Sequence, residues 1–190
     1  MTKRGRPRSP EADEAILDAT VAELTRVGYT GLAVERVAAV AGVGKATIYR
    51  RHPSKIALVT AAGARARAAA FPNLDTGSLR GDALTLLGVS LEILSSVWGR
   101  VLPGMLAEAS EDPKVAAVLQ GFFSFRRTAV ADMLRRGIER GEVRPDADPS
   151  IAYAMIDGAL LTRMLVTGEP LDQAFIEALV EGVIRGVGVG

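Results

Sequence analysis

The side chains in this sequence whose types and spacing best suit ligand binding lie between Lys45 and Lys55. In the stretch KATIYRR, Ile48 is the clear core residue, and the other positions carry cations, hydroxyls and one small residue: Lys45, Ala46, Thr47, Tyr49, Arg50 and Arg51. Cations bind phosphates, the hydroxyls can hydrogen-bond phosphates or base edges, and a small alanine allows close approach to a groove floor. This composition, with almost nothing acidic in it, favours contact with nucleic acid.

The elements that must position these side chains are two short helices joined by a glycine turn. Val37, Ala38 and Ala41 are spaced to form one apolar helix face. Gly42 permits a sharp turn, and Gly44 can cap a second helix running from Lys45 to about Arg51. Two such helices form a helix-turn-helix, whose second helix fits a DNA major groove. A glycine turn also occurs in small helical proteins that bind no DNA, so the prediction depends on the residues of the second helix.

The segment GVGKATIYRRHPSK resembles the signature of the TetR (tetracycline-repressor-like) family of bacterial transcriptional regulators. The resemblance covers roughly Pro10 to Leu58 and includes the turn glycine and the Thr-x-Tyr pair. Two positions depart from the family pattern. Ala33 stands where the family usually has a Ser or Thr cap, and His52 stands where a Trp or Phe is common.

The resemblance implies an all-α fold, with an N-terminal three-helix DNA-binding head and a larger helical ligand-binding and dimerisation body. We expect a flexible basic arm over residues 1–9, a helix-turn-helix domain over 10–55, a linking helix from about 54, and an effector-binding and dimerisation domain over 71–190. The resemblance also implies a homodimer through the last two helices and a palindromic operator. A small, mostly hydrophobic effector is expected to release the repressor, and the expected localisation is cytoplasmic.

Composition excludes several classes of site. The chain has no cysteine and one histidine, so disulfides, thiolate metal sites and multi-histidine sites are excluded, and we expect no metal and no cofactor. The sequence contains no uninterrupted apolar run of about 18 residues, so it predicts no membrane span. Residues 1–70 hold 12 Lys or Arg against 6 Asp or Glu, and the remainder holds 11 against 16. A basic head on an acidic body is typical of a DNA reader with a separate regulatory domain.

Two further groups of cations flank the helix-turn-helix. Arg4 and Arg6 belong to a basic arm that either reaches along a minor groove or serves as a disordered solubilising tail. Lys55 lies at the predicted start of the next helix, where backbone N–H groups and its own charge would bind a phosphate.

The body is predicted to contain five helices. Their expected ranges are Leu79 to Trp98, Val101 to Ser110, Pro113 to Arg140, Pro149 to about Thr167 with Asp148 as its cap, and Leu171 to Val187. Pro103 and Gly104 interrupt the chain after the first of these, so the second is expected to be one short helix. On the last two helices, apolar stripes face either a partner chain or the chain's own core: Met155, Ala159, Thr162 and Val166 on one, and Phe175, Leu179, Val183 and Val187 on the other.

Aromatic and methionine side chains of the middle helices are candidates for an effector pocket, although such residues also build ordinary cores. The candidates are Trp98, Met105, Phe122, Phe123, Arg126 and Met133, and Arg126, Ser95 and Asp157 are the polar groups that could orient a ligand. A nonspecific or architectural DNA-binding protein is the alternative function, but it would be expected to carry a higher net charge than +1. An enzyme is a remote third possibility, because the acidic group Glu108, Glu111 and Asp112 sits at a predicted helix start, where acidic residues are expected anyway.

Overall fold

The computed structural model of the protein describes residues 10–68 and 74–189. Over these ranges the chain forms nine α-helices, one π-helical turn and an isolated β-bridge between Val143 and Gly188. The all-α prediction is confirmed. The predicted arm, including Arg4 and Arg6, lies outside the described residues, as do residues 69–73. The chain divides into two compact units, here called the head (Met1–Ala69) and the body (Ala70–Gly190).

The head contains four helices: α1 (Pro10–Val27), α2 (Val34–Val40), α3 (Lys45–Arg51) and α4 (Lys55–Ala68). Helix α1 packs against α2 and α4, and α2 packs against α3. Buried apolar residues from all four helices and from the loop after α1 hold the unit together, and the largest fully buried side chains among them include Ile16, Leu24, Tyr29, Val37, Ile48 and Leu58. The bounds of α3 agree with the sequence prediction.

The turn between α2 and α3 depends on one glycine. Gly42 has a φ of +65°, a left-handed conformation that costs a residue with a Cβ about 1–2 kcal/mol. The N–H of Val43 donates to the Ala38 carbonyl over 3.0 Å and closes the turn. Gly44 caps α3 with an extended backbone and no side-chain hydrogen bond, and Ala33 likewise caps α2 without one, as its departure from the family pattern predicted.

The body contains α5 (Leu79–Ser95), α6 (Val97–Ala109), α7 (Pro113–Glu139), α8 (Pro149–Thr162) and α9 (Gln173–Val187). Helix α8 continues into the π-helical turn Arg163–Thr167. A side chain that accepts a backbone hydrogen bond caps the start of each of these five α-helices: Ser78, Ser96, Asp112, Asp148 and Asp172. Helices α5, α7, α8 and α9 bury the main apolar core.

The corner between α5 and α6 differs from the sequence prediction. The predicted helix to Trp98 ends at Ser95, and α6 leaves at an angle of 79° and continues through Pro103, which was expected to interrupt it. A Cβ on Gly99 would overlap the carbonyl oxygen of Leu94, so a glycine is needed where α6 passes the end of α5. This requirement is a tertiary contact, which the local sequence pattern does not reveal.

A buried carboxylate fastens the start of α5 to α7. Asp82 accepts hydrogen bonds from the Thr76 hydroxyl at 2.7 Å and from the Arg136 and Arg140 guanidiniums at 3.2 and 3.3 Å. Burial raises the pKa of Asp82, but these hydrogen bonds outweigh burial and hold the pKa below its usual value. Because the carboxylate is fully paired, we regard this group as a structural clamp.

One stretch of the described chain is apolar enough to pass a membrane-span test based on length and composition. Residues Pro149–Thr167 form 19 helical residues with a mean hydropathy of 1.2, and α5 and α6 pass together only as a bent pair. Asp157 and Arg163 interrupt the apolar residues of this stretch, so the sequence shows no continuous apolar run there. Only 22% of the stretch is buried within the protomer, so most of an apolar helix faces outward.

Candidate nucleic-acid interface and effector cavity

One side of α3 is exposed and cationic, and the opposite side anchors the helix in the head. Ile48 is fully buried, whereas Lys45, Ala46, Tyr49 and Arg50 are exposed and Thr47 is half-buried. We call these four exposed residues the free face of α3. Ala46 lies three and four positions before Tyr49 and Arg50, so these three side chains share one helix face, and burial of Ile48 turns that face outward. Lys45, at the first position of α3, is exposed as well. The free face presents two cations, a phenol and a methyl group to solvent.

Lys45 already has a counter-ion within the head. Its ammonium forms an exposed ion pair with the carboxylate of Glu35 on α2, and it lies 5.6 Å from the centre of the Tyr49 ring. The hydrogen bond between the two groups lowers the pKa of Glu35 and raises that of Lys45, so both are charged near neutral pH. The ion pair with Glu35, the second residue of α2, was not predicted from the sequence.

Arg51 differs from the other cations of α3. Its side chain is 10% exposed, and its Nη1 atom lies 2.9 Å from Oδ1 of Asp13 on α1. The His52 Nε2 atom lies 3.7 Å from the same oxygen. Arg51 is three residues after Ile48, and its low exposure and its contact with Asp13 place it on the inward side of α3. Arg51 was predicted to contact DNA together with the other cations of α3. In the structure its ion pair with Asp13 links α3 to α1.

Lys55 begins α4 and lies beside an aromatic ring. Its ammonium is 4.0 Å from the ring centre of Tyr29, which is buried. The hydroxyl of Ser54 accepts a hydrogen bond from the Ala57 N–H over 3.2 Å, as a helix cap does. The ring contact fixes the position of the Lys55 charge at the start of α4.

The body holds a small cavity between α5, α6, α7 and α8. Its lining comprises Ser90, Ile93, Leu94, Leu102, Phe122, Phe123, Arg126, Asp157, Leu160 and Leu161. The centre of a water-sized sphere can occupy only about 20 Å³ of this cavity. The surrounding cleft has about 330 Å³ of empty space, which includes open solvent. Since one water needs about 10–15 Å³ by this measure, the cavity has room for little more than one water.

The structure brings three of the predicted pocket residues together at this cavity and leaves three elsewhere. Phe122, Phe123 and Arg126 line it, with the two rings in an edge-to-face contact at 5.4 Å. Met133 lies two turns beyond Arg126 on α7 and is buried in the main core, while Trp98 and Met105 lie on α6 outside the lining. Ser90 was missed, although a polar residue in the apolar pattern of α5 was its signal in the sequence.

The outward faces of α8 and α9 combine apolar and small residues. On α8, Ile151 is 59% exposed, and Ala154, Met155 and Gly158 are exposed beside it, while Val166 of the π-helical turn is 78% exposed. On α9, Ala174 and Ala178 are exposed and Gly182 is half-buried, beside the exposed polar residues Gln173, Glu177 and Arg185. Of the two partners predicted for the stripe Phe175, Leu179, Val183 and Val187, the one it packs on is the chain's own core.

A glycine turn followed by an outward-facing cationic helix defines a helix-turn-helix DNA-binding protein. Comparison with known families makes the assignment specific. Residues 16–62 match the family described as bacterial regulatory proteins, tetR family, and residues 74–183 match the tetracyclin repressor-like C-terminal domain. The chain belongs to the TetR family of bacterial transcriptional regulators, and it is a DNA-binding transcriptional regulator.

Relatives match over nearly their whole length. The DNA-binding transcriptional repressor TetR of Mycobacteroides abscessus is 32% identical over 187 residues, which cover 97% of this chain and 95% of that protein. The crystal structure of the TetR family transcription regulator SCO0332 is 34% identical with a TM-score of 0.72, covering 94% of this chain and 100% of that one. Both similarities extend through head and body.

Two more distant structures share the fold and were solved with ligands. A transcriptional regulator from Saccharomonospora viridis in complex with choline is 21% identical, with a TM-score of 0.72 over 96% of this chain and 100% of that one. FadR from Bacillus subtilis in complex with stearoyl-CoA is 17% identical, with a TM-score of 0.70 over 90% of this chain and 95% of that one.

Proposed function

We propose that this regulator is a repressor that binds a palindromic operator as a homodimer and is released by a small, mostly hydrophobic effector. The observation that carries the DNA-binding part is the free face of α3, which is exposed and cationic while Ile48 anchors the helix from behind. A repressor named among the close relatives supports the direction of regulation.

The free face of α3 docks in the major groove in this proposal. Lys45 and Arg50 bind phosphates or guanine edges, Tyr49 contacts a phosphate or a base edge, and Ala46 permits close approach, with Thr47 at the margin. Lys55 binds a phosphate beside the start of α4. Arg51 supports α3 from within the head instead of contacting DNA. The arm with Arg4 and Arg6 adds backbone contacts along the minor groove.

The outward faces of α8 and α9 pair with the same faces of a second copy. An apolar helix with little of its length buried needs a cover, and Ala154, Gly158, Ala178 and Gly182 allow helices to approach closely. A twofold axis through such a face makes each patch its own partner. Twin α3 helices about 34 Å apart would then read two half-sites.

The dimer is tested by the same substitution at two exposed helical glycines. Neither Gly158 on α8 nor Gly121 on α7 has an atom within 4 Å of an added Cβ, so either glutamate fits the protomer. Gly158→Glu places a charge in the proposed interface and should give a monomer in sedimentation velocity. Gly121→Glu should remain a dimer. A Gly158→Glu protein that sediments as wild type would refute this interface.

The effector acts on a population of body conformations in this proposal. Because the cavity has room for little more than one water, a ligand must select a wider form of the body, and it releases DNA only if that form binds the operator less well. The ligand complexes of the two fold neighbours support control of this regulator by a bound small molecule. The coupling reaches the head along the chain through α4. Operator affinity that does not change with a bound effector would refute the release mechanism.

The DNA function is tested by selecting bound fragments from the source genome at about physiological salt. The wild type should enrich one palindromic motif near a promoter, because specific sites bind about 10³–10⁷ times tighter than random DNA. Tyr49→Ala should lose the enrichment and keep the dimer, while Gln120→Ala, exposed on α7, should enrich as wild type does. Uniform recovery of fragments would instead favour the nonspecific or architectural alternative.

A further inference from the structure

The cavity in the body has one polar end, which is a buried ion pair. Nε of Arg126 lies 3.0 Å from both carboxylate oxygens of Asp157, and Nη2 makes a second contact with that carboxylate. The two side chains are 10% and 7% exposed. Nη1 of Arg126 donates to the Ser90 hydroxyl over 2.8 Å, and that hydroxyl donates to the Leu86 carbonyl. Three helices, α5, α7 and α8, are thus joined at the cavity wall.

The net charge at this polar end is zero. The guanidinium and the carboxylate compensate each other, and the rest of the lining is apolar: Ile93, Leu94, Leu102, Phe122, Phe123, Leu160 and Leu161. A ligand that brought a carboxylate or an ammonium into this space would bury a charge without a free counter-ion. Such burial is strongly unfavourable unless the charge is paired. A neutral ligand avoids this penalty.

Arg126 also offers hydrogen-bond donors to a neutral ligand. The guanidinium carries five N–H donors, and its bonds to Asp157 and Ser90 use three of them, as counted over residues 10–68 and 74–189. A guanidinium has no acceptor, so the group that complements it is an acceptor oxygen. A carbonyl oxygen provides one without adding charge.

We propose that this cavity selects a neutral, mostly apolar molecule that carries a carbonyl-type acceptor at one end, and that it rejects carboxylates and ammonium ions of the same size. This proposal rests on the proposed function of the body, which is to bind an effector, and it adds the chemical class of that effector. The apolar walls hold the chain or ring system of the ligand, and Arg126 binds its oxygen while Asp157 keeps the guanidinium neutralised.

The test uses three probes of equal chain length and different head charge: methyl octyl ketone, decanoate and decylammonium. Calorimetric titration of the full-length protein should give a ketone affinity at least about tenfold above that of either ion. A wild type that prefers decanoate or decylammonium would overturn the proposal, and this measurement needs no variant.

Asp157→Asn tests whether the ion pair causes the selection. The substitution leaves the Arg126 charge uncompensated, so decanoate should become the tightest probe. Asp132→Asn makes the same charge change at an exposed position of α7 and should keep the wild-type order. If Asp157→Asn folds, as judged by circular dichroism, and still prefers the ketone, the assignment to the ion pair is wrong; if it does not fold, the wild-type order alone decides.

The outcomes separate this inference from the effector role itself. Binding of all three probes with equal affinity keeps a ligand site in the body and overturns only the charge selection. Failure of the wild type to bind any of them, at concentrations up to their solubility, removes the cavity as a site for apolar ligands and overturns both.

Discussion

Two adjacent arginines on α3 are predicted to have different roles in DNA binding. Arg50 is exposed on the free face, whereas Arg51 is 10% exposed and paired with Asp13. Arg50→Ala should remove one phosphate or base contact per protomer and leave the head as stable as before. Arg51→Ala should weaken the head and affect DNA binding only through the fraction of protein that is correctly folded.

The magnitudes follow from these contacts. The slope of log K against log salt is negative, and loss of one phosphate contact reduces its magnitude by about 0.9, or by about 1.8 for a dimer. The Arg51–Asp13 pair spans 2.9 Å, but Asp13 is 48% exposed, so solvent screens it. Its loss should lower the free energy of unfolding of the head by about 1 kcal/mol, which is near the upper end for exposed pairs.

The assay combines two measurements on the same proteins. Fluorescence anisotropy with a labelled operator, at salt concentrations between about 50 and 200 mM, gives the salt slope. Amide hydrogen exchange in peptides from residues 10–68 gives the stability of the head without interference from the body. If Arg51→Ala flattens the salt slope as much as Arg50→Ala does and leaves exchange unchanged, Arg51 contacts DNA and the role assigned to it here is wrong.

Substitutions at three glycines and one carboxylate test other features of the fold and the site. Gly42→Ser should lower the unfolding free energy of the head by about 1–2 kcal/mol because φ there is +65°. Gly44→Ser should raise it by about a few tenths of a kcal/mol by adding a helix cap; effects of the same sign in hydrogen exchange would contradict this. Glu35→Gln should strengthen nonspecific DNA binding a few-fold because it releases Lys45 from its ion pair. Glu14→Gln, at an exposed position of α1, makes the same charge change and should strengthen it less. Fluorescence anisotropy with random duplex DNA measures both affinities, and equal gains would show a simple charge effect. Gly99→Ala should lower the melting temperature of the body by disrupting the α5–α6 corner, and an unchanged calorimetric transition would show that the corner tolerates a side chain.

Local signals were sufficient to predict most of the helices. Asp148 caps α8 as its position before Pro149 predicted, and Lys45–Arg51 has the predicted bounds. Where the prediction failed, the cause was a contact between elements distant in sequence. The α5–α6 corner depends on the fit of Gly99 against the preceding helix, which no propensity encodes.

The candidate sites were harder to predict than the helices because a residue type does not specify its partner. Arg50 and Arg51 are identical in sequence terms, and only the folded head reveals which one pairs with Asp13. In the same way, Met133 suited a pocket wall but fills the core, and Arg126 faces the cavity because Asp157 on α8 holds it there.

The central claim is that two α3 helices read successive major grooves of one operator, and a methylation-protection footprint on a selected fragment tests it most directly. Dimethyl sulfate modifies guanine N7, an atom of the major groove. The proposal predicts two protected clusters about 34 Å apart, one helical turn, and their loss with Tyr49→Ala. A single cluster, protection spread evenly along the fragment, or protection that survives Tyr49→Ala would contradict it.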